Sequence, residues 1–138
     1  MKTKVITDSI SDISRDVAAN YDIEVLPILI STDGSYVSSD EVDTQDVINW
    51  IRENKKIPSF KGISTETYAR TFEKYIKEGM EILCITASSG RISNYDTACH
   101  ASTRFPAANI QVIDSKRLSS NIGLMAVKAA TMANEDVS

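Results

Sequence analysis

Short apolar runs alternate with amphipathic segments along this chain. Apolar runs without a helical period occur at residues 4–7, 82–86 and 110–113, and such runs predict strands buried on both faces of a parallel sheet. The run 23–30 contains Pro27, which removes a backbone donor, so this strand is predicted to lie at an edge or to bend. The alternation predicts a three-layer α/β sandwich, in which helices flank a mostly parallel central sheet.

Helices are predicted where apolar side chains recur every three or four residues. The predicted helices span residues 14–20, 44–54, 64–79, 93–102 and 118–133. In the second helix, the inner stripe is expected to consist of Val47, Ile48 and Ile51. In the last helix, the residues expected to face the core are Leu124, Met125, Val127 and Ala129, with Gly123 allowing close approach. The polar residues 134–138 are predicted to fray.

Residues 55–63 are predicted to form a loop, because Pro58 and Gly62 disfavour a continuing helix. An exposed Phe60 would be unusual in such a loop. Phe60 is therefore expected to plug a hole or to line an apolar pocket.

A strand, a turn of small residues and a helix start follow one another between residues 82 and 94. The unpaired amides of the turn and the positive end of the helix dipole point to one spot, which would accept a small anion. The predicted rim of this site consists of Ser88, Ser89, Gly90, Ser93 and Asn94. A well-capped turn without a ligand explains the same residues. Asp8 and Ser9 end the first strand at the same edge of the sheet, where α/β proteins bind ligands, although capping also explains this pair.

The composition is typical of one globular domain. The 138 residues carry a net charge of −4, and the cations are scattered, which argues against nucleic-acid binding. The sequence contains neither a run long enough to span a membrane nor a signal peptide, so a cytoplasmic location is expected. Cys84, Cys99 and the single histidine, His100, lack the spacing of a metal or redox site. No catalytic set, metal or cofactor is predicted.

Several motifs together resemble the amino-terminal domain of the DegV family of bacterial lipid-binding proteins. These motifs are Val5-Ile6-Thr7-Asp8-Ser9, Leu26-Pro27-Ile28, Gly34-Ser35-Tyr36, Ser88-Ser89-Gly90, Tyr95, Ala98 and Val112-Ile113-Asp114-Ser115. The resemblance implies that residues 1–138 form a single α/β domain and that the second domain of the family is absent. It also implies a non-catalytic carrier of a long-chain fatty acid, which the family presents to a fatty-acid kinase.

Two positions depart from the carboxylate-binding motifs of the family. Phe60 stands where the family has the threonine of a Thr-Ser-Gln-Pro loop, and Ile92 stands where it has a serine. Ser59 and Ser93 lie one residue away from these positions. By resemblance, the ligand pocket is expected beneath residues 88–94, with Phe60 and Ile92 in its lining.

Two alternatives to a lipid carrier remain open. The first is a small-molecule hydrolase or phosphotransferase that uses Asp8 or Ser89, although neither has a visible base partner. The second is an interaction module that has lost acyl binding and forms a homodimer through apolar surface that a second domain would cover.

Overall fold

A computed structural model describes residues 1–135 of the chain, so the predicted frayed tail lies outside the described residues from position 136 onward. The strands are β1 (Thr3–Asp8), β2 (Glu24–Leu26), β3 (Leu29–Ser31), β4 (Val37–Ser38), β5 (Ser59–Lys61), β6 (Glu81–Thr86) and β7 (Ile110–Asp114). The α-helices are α1 (Arg15–Asn20), α2 (Thr44–Asn54), α3 (Thr65–Lys77), α4 (Asn94–Ser102) and α5 (Ser120–Asn134). Single turns of 3-10 helix lie at Ser9–Ser11 and Ser39–Glu41.

The central sheet is parallel throughout, with the strand order β2-β1-β6-β7. Successive residues of β1 point to opposite faces: Ile6 packs with Phe72 of α3, and Val5 packs with Ile122 of α5. Helix α4 covers the same face as α3, through Ala98. The predicted three-layer sandwich is confirmed. None of the helices within residues 1–135 combines the length and the apolar character that a membrane span requires.

The predicted strand 23–30 is in fact two strands in two sheets. β2 lies at the edge of the parallel sheet, whereas β3 is the central strand of an antiparallel sheet with the order β4-β3-β5. Pro27 separates them because it cannot donate to a ladder. The next amide, Ile28 N, donates to Ser9 Oγ at 3.0 Å instead of to a neighbouring strand.

The loop predicted for residues 55–63 is wrong at Ser59–Lys61, which form β5. This strand pairs with β3, so that Phe60 lies opposite Ile30. The pairing joins segments about thirty residues apart, and local turn signals do not reveal such a contact.

Helix α2 has the predicted bounds, and Asp43 caps it by accepting hydrogen bonds from the Gln45 and Asp46 amides. Its predicted inner stripe is wrong. Ile48 and Ile51 are each 37% exposed, and none of the residues in Thr44–Asn54 is buried. The amphipathic pattern does form a helix, but this helix buries none of its residues in the core.

The predicted core-facing residues of helix α5 are confirmed in part, because Met125, Val127 and Ala129 are partly buried against the core whereas Leu124 is not. Leu124 is 69% exposed, and the buried residues of the helix are Ile122, Gly123, Ala126 and Ala130. A Cβ atom on Gly123 would lie 2.8 Å from the carbonyl oxygen of Ser11. The backbone of α5 therefore approaches the turn after β1 closely, as predicted for Gly123, and this approach requires a face of small residues.

Candidate functional site

The crevice between β1 and β6 is closed by a buried carboxylate. The chain continues from β1 to β2 on one side, while β6 lies on the other side, and such a switch in strand order is where open α/β sheets bind ligands. Here Asp8 Oδ2 accepts hydrogen bonds from Ala87 N at 2.8 Å and from Asn94 Nδ2 at 2.9 Å. Asp8 Oδ1 accepts from Ile10 N at 3.1 Å.

This enclosure determines what Asp8 can do. Its side chain is fully buried, and burial raises the pKa of the carboxyl group above its ordinary value, against the opposing effect of the three hydrogen bonds. A substrate cannot reach a carboxylate that has no exposed surface. Asp8 therefore holds the ends of strands together, and its geometry does not support a nucleophilic role.

Asn94 connects this buried carboxylate to the loop after β5. Its Oδ1 accepts a hydrogen bond from Ile63 N at 2.9 Å, and Thr97 Oγ1 donates to Ile63 O at 2.8 Å. A Cβ atom on Gly62 would lie 2.5 Å from Ser93 Oγ and 2.8 Å from Asn94 Oδ1. The backbone at Gly62 therefore packs closely against the start of α4, and the structure brings the start of α4 and the loop after β5 together.

Ser89 is held by the end of β7. Its hydroxyl donates to Asp114 Oδ2 at 2.5 Å, and its amide donates to Asp114 Oδ1 at 3.2 Å. The hydrogen bond from the Ser89 hydroxyl is the main reason that the pKa of Asp114 lies below its ordinary value. The Ser89 hydroxyl thus contacts a carboxylate that already accepts a second amide, from Lys116 at 2.9 Å.

The remaining predicted site residues differ in how far they are exposed to solvent. Phe60 is 54% exposed on β5, so the expectation that it plugs a hole is wrong. Ser59 and Gly90 are exposed, and Ser88 is half-buried. Ile92 packs against both apolar clusters of the core. That this rim holds a carboxylate stays a prediction.

A cavity of about 690 Å³ lies beside β2, at the same edge of the sheet. Its apolar lining includes Ile10, Ile13, Val25, Ile28, Val42 and Leu118. Its polar lining includes Ser9, Asp12, Arg15, Ser39, Asp40 and Ser119. Of the predicted site residues, this lining contains Ser9. The sequence signal for the cavity is the presence of apolar residues in turns, since Ile10 and Ile13 flank the end of a 3-10 turn and Ile28 follows Pro27.

Two hydrogen-bonded pairs hold the polar side of this cavity. Ser9 Oγ lies 3.1 Å from Ser39 Oγ, which links the turn after β1 to the second 3-10 turn. The Ser119 hydroxyl donates to the carboxylate of Asp12. Asp12 (φ 54°) and Ser119 (φ 62°) both have left-handed backbone conformations, which non-glycine residues adopt at a cost in energy. These contacts make a defined polar edge above an apolar floor.

Among residues 1–135, no three His, Cys, Asp or Glu side chains are grouped closely enough to hold a metal ion. The arrangement is suited to binding, since it combines an apolar cavity with hydroxyl, carboxylate and guanidinium groups at its edge.

Comparisons with known proteins all match this chain to the same protein family. A model of the DegV family of uncharacterised proteins matches residues 2–138. A DegV domain-containing protein of Clostridium perfringens is 31% identical over 137 residues, which cover 99% of this chain and 49% of that protein. The chain spans about half the length of the curated relatives it matches.

Solved structures share the fold. A stearic-acid-binding protein from Eubacterium ventriosum superposes with a TM-score of 0.91 at 25% identity, over 99% of this chain and 49% of that chain. A Thermotoga maritima protein, described as having fatty acid binding function, superposes with a TM-score of 0.86 at 26% identity, over 100% of this chain and 51% of that chain.

Proposed function

We propose that this chain, which belongs to the DegV family, is a non-catalytic carrier of long-chain fatty acids. Two structurally similar proteins support this proposal, since one is described as binding stearic acid and the other as having fatty acid binding function.

The observation that carries the proposal is the cavity beside β2. Its volume of about 690 Å³ lies within the range of about 300–1,000 Å³ that is usual for small-molecule sites. Its floor is formed by aliphatic side chains from four separate segments, including Ile10, Val25, Val42 and Leu118. An acyl chain on such a floor gains roughly 0.8 kcal/mol for each methylene group removed from water.

The polar groups at the sheet edge support ligand binding and not catalysis. The carboxylate of Asp8 is enclosed, and the Ser89 hydroxyl donates to Asp114. Asp8 has no open approach, and Asp114, the carboxylate beside the exposed Ser89, has a pKa below its ordinary value, which makes it a weak base for a hydroxyl. We therefore favour a carrier over a hydrolase or phosphotransferase.

The test uses two neighbouring alanines of α1. Ala18 lines the cavity, whereas Ala19 is exposed beside it. We expect Ala18→Phe to fill the cavity and to reduce binding of radiolabelled palmitate at least tenfold, while Ala19→Phe binds as the wild type does. Native mass spectrometry of the wild-type protein purified without detergent should also show a bound acyl species. A wild-type chain that binds no palmitate, or equal binding by both variants, would contradict the proposal.

We further propose that the chain corresponds to the amino-terminal domain of its longer relatives and presents its ligand to a fatty-acid kinase, as the family resemblance implies. Phosphorylation of palmitate by such a kinase, measured with and without this chain, tests the second point. An acyl phosphate yield that does not depend on this chain would rule out the kinase partner.

Self-association is favoured by a concentration of exposed apolar side chains in one segment. These are Tyr36, Val37, Ile48, Ile51, Ile57 and Phe60. Apolar surface of this kind usually has a partner. Sedimentation analysis across a hundredfold range of concentration should reveal a dimer, and a monomer throughout the range would exclude it.

A further inference from the structure

We propose that Arg15 binds the carboxylate of the ligand at the mouth of the cavity beside β2. This inference rests on the proposed function and adds to it the position and orientation of the ligand. The carboxylate would then lie at Arg15, and the acyl chain would extend over the apolar floor.

The loops on the other side of the sheet edge lack two hydroxyl groups that could hold a carboxylate. At the two positions where the family resemblance implies carboxylate-binding hydroxyls, this chain has Phe60 and Ile92. The Ser89 hydroxyl donates to Asp114. Neither of these two side chains can donate a hydrogen bond to a carboxylate, and an ionised group without hydrogen-bond partners is strongly disfavoured away from water.

The cavity beside β2, in contrast, has a cation in its lining. Arg15 is the one cation among the described lining residues. It is the first residue of α1, and its side chain is exposed, so the guanidinium group is at the open side of the cavity. Arg15 Nη2 donates to the carbonyl oxygen of Asp40 at 3.2 Å. This contact positions the guanidinium, which has further N–H groups to donate.

Arg15 has two acidic neighbours in the lining of the cavity. Asp12 and Asp40 also line the cavity, but within the described part of the chain Arg15 forms no salt bridge with either of them. The Asp12 carboxylate accepts the Ser119 hydroxyl, and Asp40 contacts Arg15 only through its main chain. The planar guanidinium group therefore remains available for a carboxylate, which it matches with two parallel hydrogen bonds.

The start of α5 also lies at the mouth of the cavity, beside the Asp12 carboxylate. Ser119 immediately precedes α5 and lines the cavity, and its side chain donates to Asp12 and makes no capping hydrogen bond to the helix. The positive end of a helix of fifteen residues thus lies at the mouth of the cavity, where it supports the binding of a negative group to Arg15.

The test compares a charged ligand with a neutral one of equal chain length. Palmitate and 1-hexadecanol share the alkyl chain, and only palmitate carries a charge at pH 7. We expect Arg15→Gln to lower the affinity for palmitate about tenfold, because a charge-assisted pair is lost at a partly exposed site, and to leave the affinity for 1-hexadecanol unchanged within about twofold. The matched control is Arg52→Gln, which removes an exposed arginine of α2 outside the cavity lining.

The outcomes separate this inference from the proposed function. If wild-type protein binds neither ligand, the proposed function fails. If wild type and Arg15→Gln bind palmitate equally well, the function stands and the role of Arg15 is refuted. If Arg15→Gln loses both ligands together, the residue supports the cavity structurally and the inference is again refuted.

Discussion

Asn94 donates a hydrogen bond of 2.9 Å to the carboxylate of Asp8, which lies 86 positions earlier in the chain. The contact ties the start of α4 to the end of β1. Asn94 Oδ1 also accepts a hydrogen bond from the Ile63 amide, so this buried side chain joins the end of β1, the loop after β5 and the start of α4.

Replacing this side chain should destabilise the protein substantially. Asn94→Ala leaves the Asp8 carboxylate and the Ile63 amide each short of one buried partner, so we expect a loss of about 2–4 kcal/mol in the free energy of unfolding. Urea denaturation followed by circular dichroism measures this loss. Asn49→Ala, at an exposed position of α2, should change stability by less than about 0.5 kcal/mol. Equal stability of the two variants would show that the Asn94 contacts contribute little.

The pair of Lys4 and Asp22 should make stability depend on pH in acid. Lys4 Nζ lies 2.6 Å from Asp22 Oδ1, and the Lys4 side chain is largely buried while Asp22 is exposed. The hydrogen bond from Lys4 is the main reason that the pKa of Asp22 lies below its ordinary value of 3.8. A lowered folded-state pKa means that the stabilisation is fully present above about pH 4 and is lost as the pH falls through the folded-state value.

We therefore expect Asp22→Asn to lower the free energy of unfolding by about 1 kcal/mol at pH 7, the exposure of Asp22 limiting the effect. The difference from wild type should shrink as the pH falls from 4 toward 2. Asparagine tolerates the left-handed backbone at this position (φ 54°), so the variant tests the charge and not the backbone. The exposed pair of Lys77 and Glu73 provides a control, since Glu73→Gln should have almost no effect at either pH. A constant difference between wild type and Asp22→Asn from pH 7 to pH 2 would contradict the assignment.

Tyr68 should tolerate the loss of its hydroxyl group. Its ring is fully buried beside Phe72, and its hydroxyl has no hydrogen-bond partner among residues 1–135. Removing an unpaired buried hydroxyl removes a desolvation cost, so Tyr68→Phe should be neutral or stabilising by up to about 1 kcal/mol. Tyr75→Phe is the matched comparison, because the Tyr75 hydroxyl donates to Glu24, and it should cost about 1 kcal/mol. Chemical denaturation measures the free energy of unfolding of both variants. A larger loss of stability in Tyr68→Phe than in Tyr75→Phe would refute the prediction.

Gly123→Ala should destabilise the protein although alanine favours helices. The helix preference is worth about 1 kcal/mol, but the new Cβ atom would lie 2.8 Å from the carbonyl oxygen of Ser11. We expect a net loss of about 1–3 kcal/mol, because the contact is with backbone that cannot rotate away. The neighbouring exposed residue gives the control, since Leu124→Ala should change stability by less than about 0.5 kcal/mol. Thermal denaturation in which Gly123→Ala melts at or above the wild-type temperature would be the contrary result.

The sequence predicted the central sheet and the helices well because their signals are local. A buried strand such as β6 is a continuous apolar run, and α2 and α3 begin after Asp43 and Ser64, whose side chains accept hydrogen bonds from amides of the first turn. The second sheet was missed because β5 is held by pairing with β3, a contact between distant segments. The exposure of Ile48 and Ile51 was not predicted for a related reason. The spacing of apolar residues identifies a helix, but it does not show whether another element covers them.

The candidate site was predicted in part. The turn after β6 does meet the loop after β5, through Ser93 and Gly62. Asp8 was correctly placed at the edge of the sheet, but its burial depends on donors from Ala87 and Asn94, which lie far away in sequence. The cavity beside β2 was not predicted, because it is assembled from short segments that individually resemble ordinary turns.

The switch of sheets at Pro27 divides the molecule into parts of unequal resistance to local unfolding. Residues 29–61 leave the central sheet after β2 and return before α3, and none of the residues of α2 is buried. Such a region opens at a lower free energy than a central sheet does, so its amides should exchange with deuterium while those of β1 and β6 stay protected. Val42 and Thr44 belong to this region and form one wall of the cavity. This wall of the cavity should therefore loosen at a lower free energy than the central sheet, so that local unfolding can change the shape of the cavity while the central sheet stays folded.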